Sequence, residues 1–433
     1  MISIGKPYVT ENGDTAELHA QVRVSADTAA RFKEETAGLP NVSWLNTYDY
    51  PPASWDGEGS SLRFAVPLEY GKYLCAERSN AFVIAFLWYA MVTGSDISFE
   101  APLSEKLHDG LTRKLIPALA KDGYRAINLE GPLSDEPVWN EGGVLTGMSC
   151  GADAMYTLHA YGGEDAPEGM RLTHLAYYHA AYIFPFIRPP YDVDAIIAET
   201  ERMYEKPTAE HAGRIAAHHG LRFVEVRTNL DRDFYRGGMI YTGMYRFLSC
   251  TMALEHLYSL YIISSSGHGR DIGQASLFIP TQAYEDLICG SCGTESLRCM
   301  NSDHQTRIEK LKAIADDPDF QRYATVCFND SEDGRGCGEC SGCWKTMVPL
   351  DILGKLDSFG ARFDLDRYYR ERRSVFADLI NFSYRPEAAS VRESVRQILD
   401  LAEETGGEAG AEFTEVWQEI KGQKGAENGR RKQ

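Results

Sequence analysis

The sequence predicts an α/β protein: a parallel sheet with helices on both faces, preceded by an α+β N-terminal domain. Three observations support this prediction. From Gly143 onward, strand-like runs alternate with helical stretches, which is the pattern of β-α-β units. The first 140 residues carry short alternating runs and then two helical stretches. A cysteine-rich segment, Cys289 to Cys343, follows the predicted parallel sheet.

The N-terminal segment, residues 1–140, begins with predicted strands. Four apolar residues of LHAQVRVS fall on one face, and LRFAVPL has a similar pattern. Two helices are expected next, one through NAFVIAFLWYAMVTG that ends at Gly94 and one through LSEKLHDGLTRKLIPALAKDG that ends at Gly123. The stretch EGPLSDEPVWNEGG, rich in proline, glycine and acids, indicates a domain boundary near residue 140. No motif in this segment indicates its role.

Residues 141–350 are predicted to form the parallel-sheet domain. Its strands are expected at GVLTGMS, RLTHLAYYHAAY, RFVEVRTN and LYIISSS, and its helices from about Asp153, through AEHAGRIAAHHG and through GMYRFLSCTMALEHLYS. Residues 351–420 are predicted to be helical, because apolar residues in SVRESVRQILDLAEE recur at helical spacing. Residues 421–433 are predicted to be a disordered tail.

Composition and charge argue against several classes of function. The 433 residues include 44 basic and 63 acidic ones, and this net charge of −19 makes binding to nucleic acid unexpected. The longest apolar run, Ala81 to Val92, has 12 residues, fewer than the roughly 20 that span a bilayer. The N-terminus also lacks the pattern of a signal peptide. We therefore expect a cytoplasmic protein with no membrane segment, whose ten cysteines serve metal binding or chemistry rather than disulfides.

A loop of small residues follows the first predicted strand of the parallel sheet. Its residues are Ser149, Cys150, Gly151 and Ala152. Small side chains let backbone N–H groups approach an anion, and the N-terminus of the next helix adds a favourable dipole. Asp153, an acid in such a turn, suits a bound magnesium ion better than a bare phosphate. The loop is predicted to bind a nucleotide's pyrophosphate; an ordinary tight turn with Asp153 as the helix cap is the alternative.

Four cysteines later in the chain have the spacing of a metal site. In VCFNDSEDGRGCGECSGCWKT they follow the pattern C-x9-C-x2-C-x2-C; they are Cys327, Cys337, Cys340 and Cys343. Four thiolates with this spacing can close around a tetrahedral zinc ion, which would then be structural because no ligand position stays open. An iron–sulfur cluster is the alternative.

The remaining cysteines have several interpretations. Cys289, Cys292 and Cys299 can form a second metal site completed by His304, take part in sulfur transfer, or be unligated thiols. Cys75 and Cys250 are isolated in apolar surroundings, and we expect them to be core residues.

The loop and the cysteine pattern together resemble the PP-loop ATP pyrophosphatases, and among them the zinc-containing 7-cyano-7-deazaguanine synthase family of queuosine biosynthesis. The SGGxDS motif of PP-loop enzymes corresponds here to Ser149, Cys150, Gly151, Ala152, Asp153 and Ala154. Cys150 replaces the first glycine, and Ala154 replaces the last serine. The resemblance covers roughly residues 143 to 350 and implies a Rossmann-like (HUP class) ATP-binding domain. Residues 1 to about 140 have no counterpart in that family.

The same resemblance implies further nucleotide contacts. SSSGHGRDIG follows the fourth predicted strand, where PP-loop enzymes have a second nucleotide loop, so His268 and Asp271 are candidates. In HQTRIEKLKAI, Arg307 and Lys310 stand where related enzymes have a basic residue near the phosphates. A solvated helix face is the alternative for these two residues.

The implied function is the activation of a carboxylate by ATP. The carboxylate would attack the α-phosphorus, pyrophosphate would leave on the loop with Mg²⁺, and an amine or ammonia would take the acyl-adenylate. Asp153 would orient the magnesium ion. Ser149, Lys310 and the backbone N–H groups of the loop would neutralise the leaving group. The implied substrate is 7-carboxy-7-deazaguanine or a similar deazapurine acid, and the product is an amide, a nitrile or a conjugate.

Partners and alternatives stay open at this point. Extended proteins of this kind in bacterial gene clusters, including antiphage systems, imply an acceptor or partner protein, and a homodimer is a further option. A second enzymatic hypothesis is PP-loop amidation or thiolation of another substrate, such as a surface-polysaccharide sugar. A third is a pseudoenzyme that binds a nucleotide without turnover, because Ala154 lacks the hydroxyl of the motif.

Overall fold

The computed structural model describes residues 1–36, 60–180, 198–235, 239–265, 282–302, 305–327, 335–385 and 388–430. The strands in these ranges are β1 (Ile2–Ile4), β2 (Tyr8–Asn12), β3 (Thr15–Val24), β4 (Ser60–Pro67), β5 (Ile97–Phe99), β6 (Leu103–Ser104), β7 (Leu129–Glu130), β8 (Leu133–Ser134), β9 (Gly143–Gly147), β10 (His174–His179), β11 (Arg222–Thr228), β12 (Tyr258–Ile263) and β13 (Arg298–Asn301).

The helices in the same ranges are α1 (Ala26–Thr36), α2 (Asn80–Thr93), α3 (Glu105–Gly110), α4 (Ile116–Lys121), α5 (Ala152–Tyr161), α6 (Lys206–His218), α7 (Met239–Ala253), α8 (Gln282–Ser291), α9 (Arg307–Ile314), α10 (Pro318–Tyr323), α11 (Ser341–Ile352), α12 (Leu365–Ser383), α13 (Ala389–Thr405) and α14 (Glu408–Arg430). Short 3₁₀ segments are Leu68–Tyr73 and Leu356–Phe359, and π-helical turns are Leu111–Leu115, Glu201–Glu205 and Leu230–Tyr235. No helix in the described ranges is long and apolar enough to cross a membrane.

Eleven strands form one mostly parallel sheet, in the order β13-β12-β9-β10-β11-β4-β3-β1-β5-β7, with β2 paired to β3. The five strands from β13 to β11 are all parallel to one another. This confirms the prediction of an α/β protein with a parallel central sheet. Within these five, β10 and β11 extend the sheet on one side of β9, and β12 and β13 extend it on the other. The strand order therefore reverses between β9 and β12.

The burial of each strand explains its sequence pattern. Every residue of β10 is buried, which fits the uninterrupted apolar and aromatic run LAYY of a strand covered on both faces. In β3, buried residues alternate with more exposed ones, as the periodicity of LHAQVRVS predicts. Helix α2 is buried along nearly its whole length and ends at Gly94, whose φ of 63° gives the left-handed helix cap predicted there.

Strand β4 joins the N-terminal part of the chain to the parallel strands. It pairs antiparallel with β11 on one edge and with β3 on the other. Asn229, directly after β11, reinforces this junction: its Oδ1 accepts from the Arg63 backbone N–H at 2.9 Å, and its Nδ2 donates to the Ser61 carbonyl at 2.9 Å. The boundary expected near residue 140 therefore does not divide the sheet. A periodic pattern predicts a strand but not the strand with which it pairs.

The described residues form two compact units. The first contains the sheet and consists of the described parts of residues 1–148, 161–265 and 282–302. The second contains residues 149–160 and the described residues from 305 onward. These limits differ from the predicted ones at residues 140 and 350. The chain leaves the first unit after β9, contributes most of α5 to the second, and then returns.

In the second unit, the C-terminal helices pack through apolar side chains and ion pairs. Phe376 of α12 and Phe413 of α14 meet edge to face with ring centroids 5.3 Å apart. The residues from 421 to 430 continue α14, whereas the sequence predicts a disordered tail from residue 421. Arg373 of α12 pairs with Glu419 of α14 at 2.7 Å, and Lys421 lies 4.4 Å from the centroid of the Trp417 ring. These contacts stabilise α14 around residues 417 to 421.

Candidate functional site

The loop after β9 turns sharply before it enters α5. Cys150 has a φ of 57° and is the one non-glycine residue of the described ranges in the left-handed region that favours glycine. Its carbonyl oxygen accepts a hydrogen bond from the Thr325 backbone N–H at 3.0 Å. The Gly151 N–H lies 3.4 Å from the hydroxyl oxygen of Ser149. Small residues therefore form a strained turn at the start of a helix, where sequence analysis expects an anion-binding loop.

The thiol of Cys150 is unsuited to act as a nucleophile. Its side chain is fully buried, and burial raises the pKa of the thiol well above its ordinary value. The thiolate is the reactive form, so a protonated buried thiol is inert. The Arg362 side chain, also buried, donates to the Ala324 carbonyl at 2.7 Å and thereby supports the segment that contacts Cys150. Cys150 thus fills space beneath the loop.

Two basic residues of α9 contact Asp153. Lys310 Nζ lies 3.0 Å from Asp153 Oδ1, and Arg307 Nη1 lies 3.8 Å from Asp153 Oδ2. The Lys310 side chain is 0% exposed and that of Arg307 is 15% exposed, so the alternative of a solvated helix face is wrong. The structure thus brings together three residues that sequence analysis selected from separate segments.

Local sequence explains the direction of these two side chains. Thr306 and Glu309 form a reciprocal capping box that fixes the start of α9. Arg307 and Lys310 are three residues apart, so they lie on the same face of the helix. The cap therefore directs both cations toward Asp153.

Lys345 of α11 is a third cation in this group, and sequence analysis missed it. Arg307 Nη2 donates to Thr346 Oγ1 at 3.0 Å, which attaches α9 to α11 one residue after Lys345. Burial and the nearby positive charge of Arg307 lower the pKa of Lys345 to about 8, while Asp153 acts in the opposite direction. The signal in the sequence is the lysine in CWKT, two residues after the last cysteine of the predicted metal site.

The four cysteines predicted to bind metal are brought together. The Sγ atoms of Cys327, Cys337, Cys340 and Cys343 all lie within 4.8 Å of one another. The sulfur atoms of Cys327 and Cys340 are 3.7 Å apart. Ligands about 2.3 Å from a tetrahedral zinc ion are about 3.8 Å from each other, so this spacing fits zinc. The cluster can hold a metal ion and is compatible with zinc.

Backbone N–H groups point at the sulfur atoms, as they do around bound thiolates. The Cys337 N–H lies 3.4 Å from the Cys327 Sγ, and the Cys343 N–H lies 3.5 Å from the Cys340 Sγ. The neighbouring Cys327 lowers the pKa of Cys340 to about 7. Such N–H groups stabilise negative charge on sulfur, which is the state that a metal ion requires.

Glycine is required at one position of this cluster. A Cβ atom on Gly342 would lie 2.3 Å from the Val326 carbonyl oxygen, much closer than real contacts allow. Val326 directly precedes Cys327, so this close approach brings the first ligand beside α11. Helix α11 thus carries the ligand Cys343 in its first turn and, directly afterwards, Lys345 and Thr346 of the cationic group.

The other sequence candidates have different outcomes. His268 and Asp271 lie outside the described residues, as does His304. Cys289, Cys292 and Cys299 are buried, and burial raises the pKa of each thiol. Within the part of the chain that the structure describes, these three do not form a group close enough to share a metal ion. They are core thiols of the first unit.

Comparison with known proteins identifies no relative: no family model, curated protein or solved structure matches the chain. The function therefore has to be inferred from the chemistry of the site.

Proposed function

We propose that the loop and its cations bind the polyphosphate of ATP, and that the protein activates a carboxylate as an acyl-adenylate with release of pyrophosphate. One observation carries this proposal: Lys310 and Arg307 lie 3.0 and 3.8 Å from a single carboxylate, that of Asp153 at the start of α5, and the charge of Asp153 also acts on Lys345. These four residues by themselves carry more positive than negative charge, although the Cys340 side chain also acts on Lys345. A polyanion would neutralise that excess.

The topology of the first unit supports the proposal independently. The order of its five parallel strands, with β9 in the middle and a reversal between β9 and β12, is that of doubly wound nucleotide-binding sheets. In such sheets, ligands bind outside the carboxyl ends of the strands at the reversal. The loop from Ser149 to Asp153 follows β9 directly along the chain. A Rossmann-like nucleotide-binding domain of the PP-loop type is therefore part of this proposal.

Each residue of the loop has a role in the proposed reaction. The N–H groups of Gly151 and Ala152, at the N-terminus of α5, would donate to pyrophosphate oxygens. Lys310 would transfer its hydrogen bond, and Arg307 its ion pair, from Asp153 to the same oxygens as charge builds on the leaving group. Asp153 would then be free to hold a magnesium ion that arrives with the nucleotide, and such an ion neutralises phosphate charge when bound.

The acid to be activated is proposed from the sequence resemblance. A deazapurine acid such as 7-carboxy-7-deazaguanine is the first candidate, with an amide, a nitrile or a conjugate to an amine of a partner protein as the product. The four-cysteine cluster would hold a structural zinc ion, since four thiolates leave no position open for a substrate. Its part in the reaction is to position α11 and therefore Lys345.

The test measures the release of AMP and pyrophosphate. Zinc-loaded protein is incubated with ATP, magnesium and 7-carboxy-7-deazaguanine, with and without ammonium, and the mass of the base product is measured. We expect AMP release that depends on the acid. Lys310→Met should abolish it, and Lys345→Met should reduce it at least tenfold. The matched control is Lys312→Met, also on α9, because the Lys312 side chain pairs with Glu404 at 2.6 Å instead of Asp153.

Other outcomes separate the alternatives. AMP release with a sugar acid but not with a deazapurine acid would favour amidation of a polysaccharide sugar. Binding of ATP without AMP from any acid of the panel would contradict adenylation and favour a nucleotide-binding protein without turnover. In that case Ala154→Ser tests whether the missing hydroxyl is the cause.

A further inference from the structure

We propose that Cys75, Glu77 and His256 form a second metal site, which binds a divalent ion of the zinc type and leaves one coordination position open. The Cys75 Sγ, a carboxylate oxygen of Glu77 and a ring nitrogen of His256 all lie within 4.8 Å of one another. Thiolate, carboxylate and imidazole are all zinc ligands, and three protein ligands are typical of zinc sites that exchange a fourth. All three residues belong to the first compact unit.

The main chain fixes the segments that carry these ligands. The Cys75 N–H donates to the carbonyl of Ala253, the last residue of α7, at 2.9 Å. His256 lies in the turn directly after α7, and its own carbonyl accepts from the Glu141 N–H at 2.8 Å. The thiol and the imidazole therefore meet because backbone hydrogen bonds hold both segments, and no large movement is needed to close a site.

The hydrogen bonds of His256 leave one ring nitrogen facing the proposed ion. Its Nδ1 lies 2.6 Å from the Trp139 carbonyl oxygen, which can only accept, so Nδ1 carries a hydrogen. Its Nε2 lies 3.1 Å from Glu77 Oε2. With the hydrogen on Nδ1, Nε2 is a hydrogen-bond acceptor, as is the carboxylate oxygen. A proton or a metal ion must therefore lie between these two atoms at this distance. Donation from the second ring nitrogen to a backbone carbonyl is the usual arrangement of a metal-bound histidine.

The charges of the three ligands suit a divalent ion. When the ion binds, the Cys75 proton leaves to solvent. The thiolate and the carboxylate then balance the two positive charges of the ion.

One side of this group is open. Cys75 and His256 are buried, whereas the Glu77 side chain is 55% exposed. The exposed Trp139 ring stacks on Tyr73 and lies 5.9 Å from the His256 ring. A metal ion here would therefore keep a position for water or a small anion. The four-cysteine cluster offers no such position.

Metal content tests the proposal on the full-length protein. After saturation with zinc and removal of free ion, elemental analysis should find one ion fewer per chain in Cys75→Ser and in His256→Gln than in the wild type. The control is Cys250→Ser, which alters another buried cysteine and should keep the wild-type content. The ion in the four-cysteine cluster reports that each variant is folded. Glu77→Gln changes an exposed side chain and should weaken the second zinc by about tenfold or more.

Cobalt substitution tests the open position. Azide should change the absorption of the cobalt-loaded wild type and leave that of cobalt-loaded Cys75→Ser unchanged. Equal zinc content and equal azide response in the wild type and in Cys75→Ser would overturn the proposal. Cys75 would then be an ordinary core thiol, and Glu77 and His256 an ordinary ion pair.

Discussion

Lys310, whose side chain has no solvent exposure, donates to Asp153 Oδ1 over 3.0 Å. Lys310 depends on this contact for charge compensation more than Asp153 does. Asp153 is 26% exposed and also lies near Arg307, whereas the charge of Lys310 is fully buried and Asp153 is a carboxylate that balances it. Removing one member of a buried pair is costly because the other charge stays buried without compensation.

Asp153→Asn should therefore destabilise the protein more than Lys310→Met. We expect about 3 kcal/mol for Asp153→Asn, measured as the free energy of unfolding in urea, and about half of that for Lys310→Met. The double variant should be more stable than Asp153→Asn alone. Asp316→Asn is the control: it breaks the exposed pair with Lys355 and should change stability by about 0.5 kcal/mol or less. A larger loss from Lys310→Met would contradict this account.

Gly342→Ala should weaken metal binding at the four-cysteine cluster. The added Cβ collides with the Val326 carbonyl oxygen and displaces Cys327, the neighbouring ligand. Competition with a chelator should show a loss of affinity of at least about tenfold. Gly422→Ala, in α14 with open space around the position, should bind metal like the wild type. Unchanged affinity in Gly342→Ala would contradict this prediction, because it would show that the backbone around Val326 shifts to accommodate the added Cβ.

The ten cysteines should form two classes that differ in the conditions under which they react with a thiol reagent. Cys75, Cys150, Cys250, Cys289, Cys292 and Cys299 are all buried. In the metal-loaded native protein we expect almost no reaction. A chelator should release the four thiols of the cluster and Cys75, the ligand of the proposed second site, and denaturant should release the remaining five. Rapid labelling of Cys150 in the native protein, located by mass spectrometry, would contradict its placement beneath the loop.

His174 should make stability fall on acidification. Burial, with a smaller effect of Arg222, lowers the pKa of His174 to about 4 in the folded protein. The unfolded chain titrates near 6.5, so between these values it binds more protons than the folded chain. This contribution is complete above about pH 6.5 and is lost as the pH falls toward 4; it amounts to about 3 kcal/mol.

Urea unfolding at several pH values checks this prediction. His174→Phe, which keeps a ring against Tyr258, should show a smaller loss of stability between pH 6.5 and 4 than the wild type. His159→Gln, at an exposed position, should keep the wild-type dependence. Identical pH dependence in His174→Phe and the wild type would contradict the assignment.

Local patterns in the sequence predict the parallel strands from β9 to β12 and the meeting of the four cysteines. The order of strands and helices from β9 to β12 follows from runs of apolar residues, and the spacing of the four cysteines already limits how they can meet. Lys310 and Arg307 are predictable from the resemblance, although only the structure shows that they are buried against Asp153.

Features that depend on distant segments could not be predicted in this way. Lys345 joins the cationic group because α9 and α11 pack together. The lysine in CWKT is visible in the sequence, but the residues around it do not predict this packing. The pairing of β4 with β11 joins segments more than 150 residues apart. The packing of α14 against α12 likewise joins separate segments, through the ion pair of Arg373 with Glu419.

The junction between β4 and β11 also limits how the chain can be shortened. A fragment that begins after residue 140 would keep the loop, the cations and the four cysteines. It would also uncover the hydrogen-bonding edge of β11, which β4 occupies in the full-length chain. A bare edge of this kind recruits strands from other molecules, so such a fragment is expected to aggregate. Within residues 1–140, β4 therefore protects the edge of β11 from pairing with strands of other molecules.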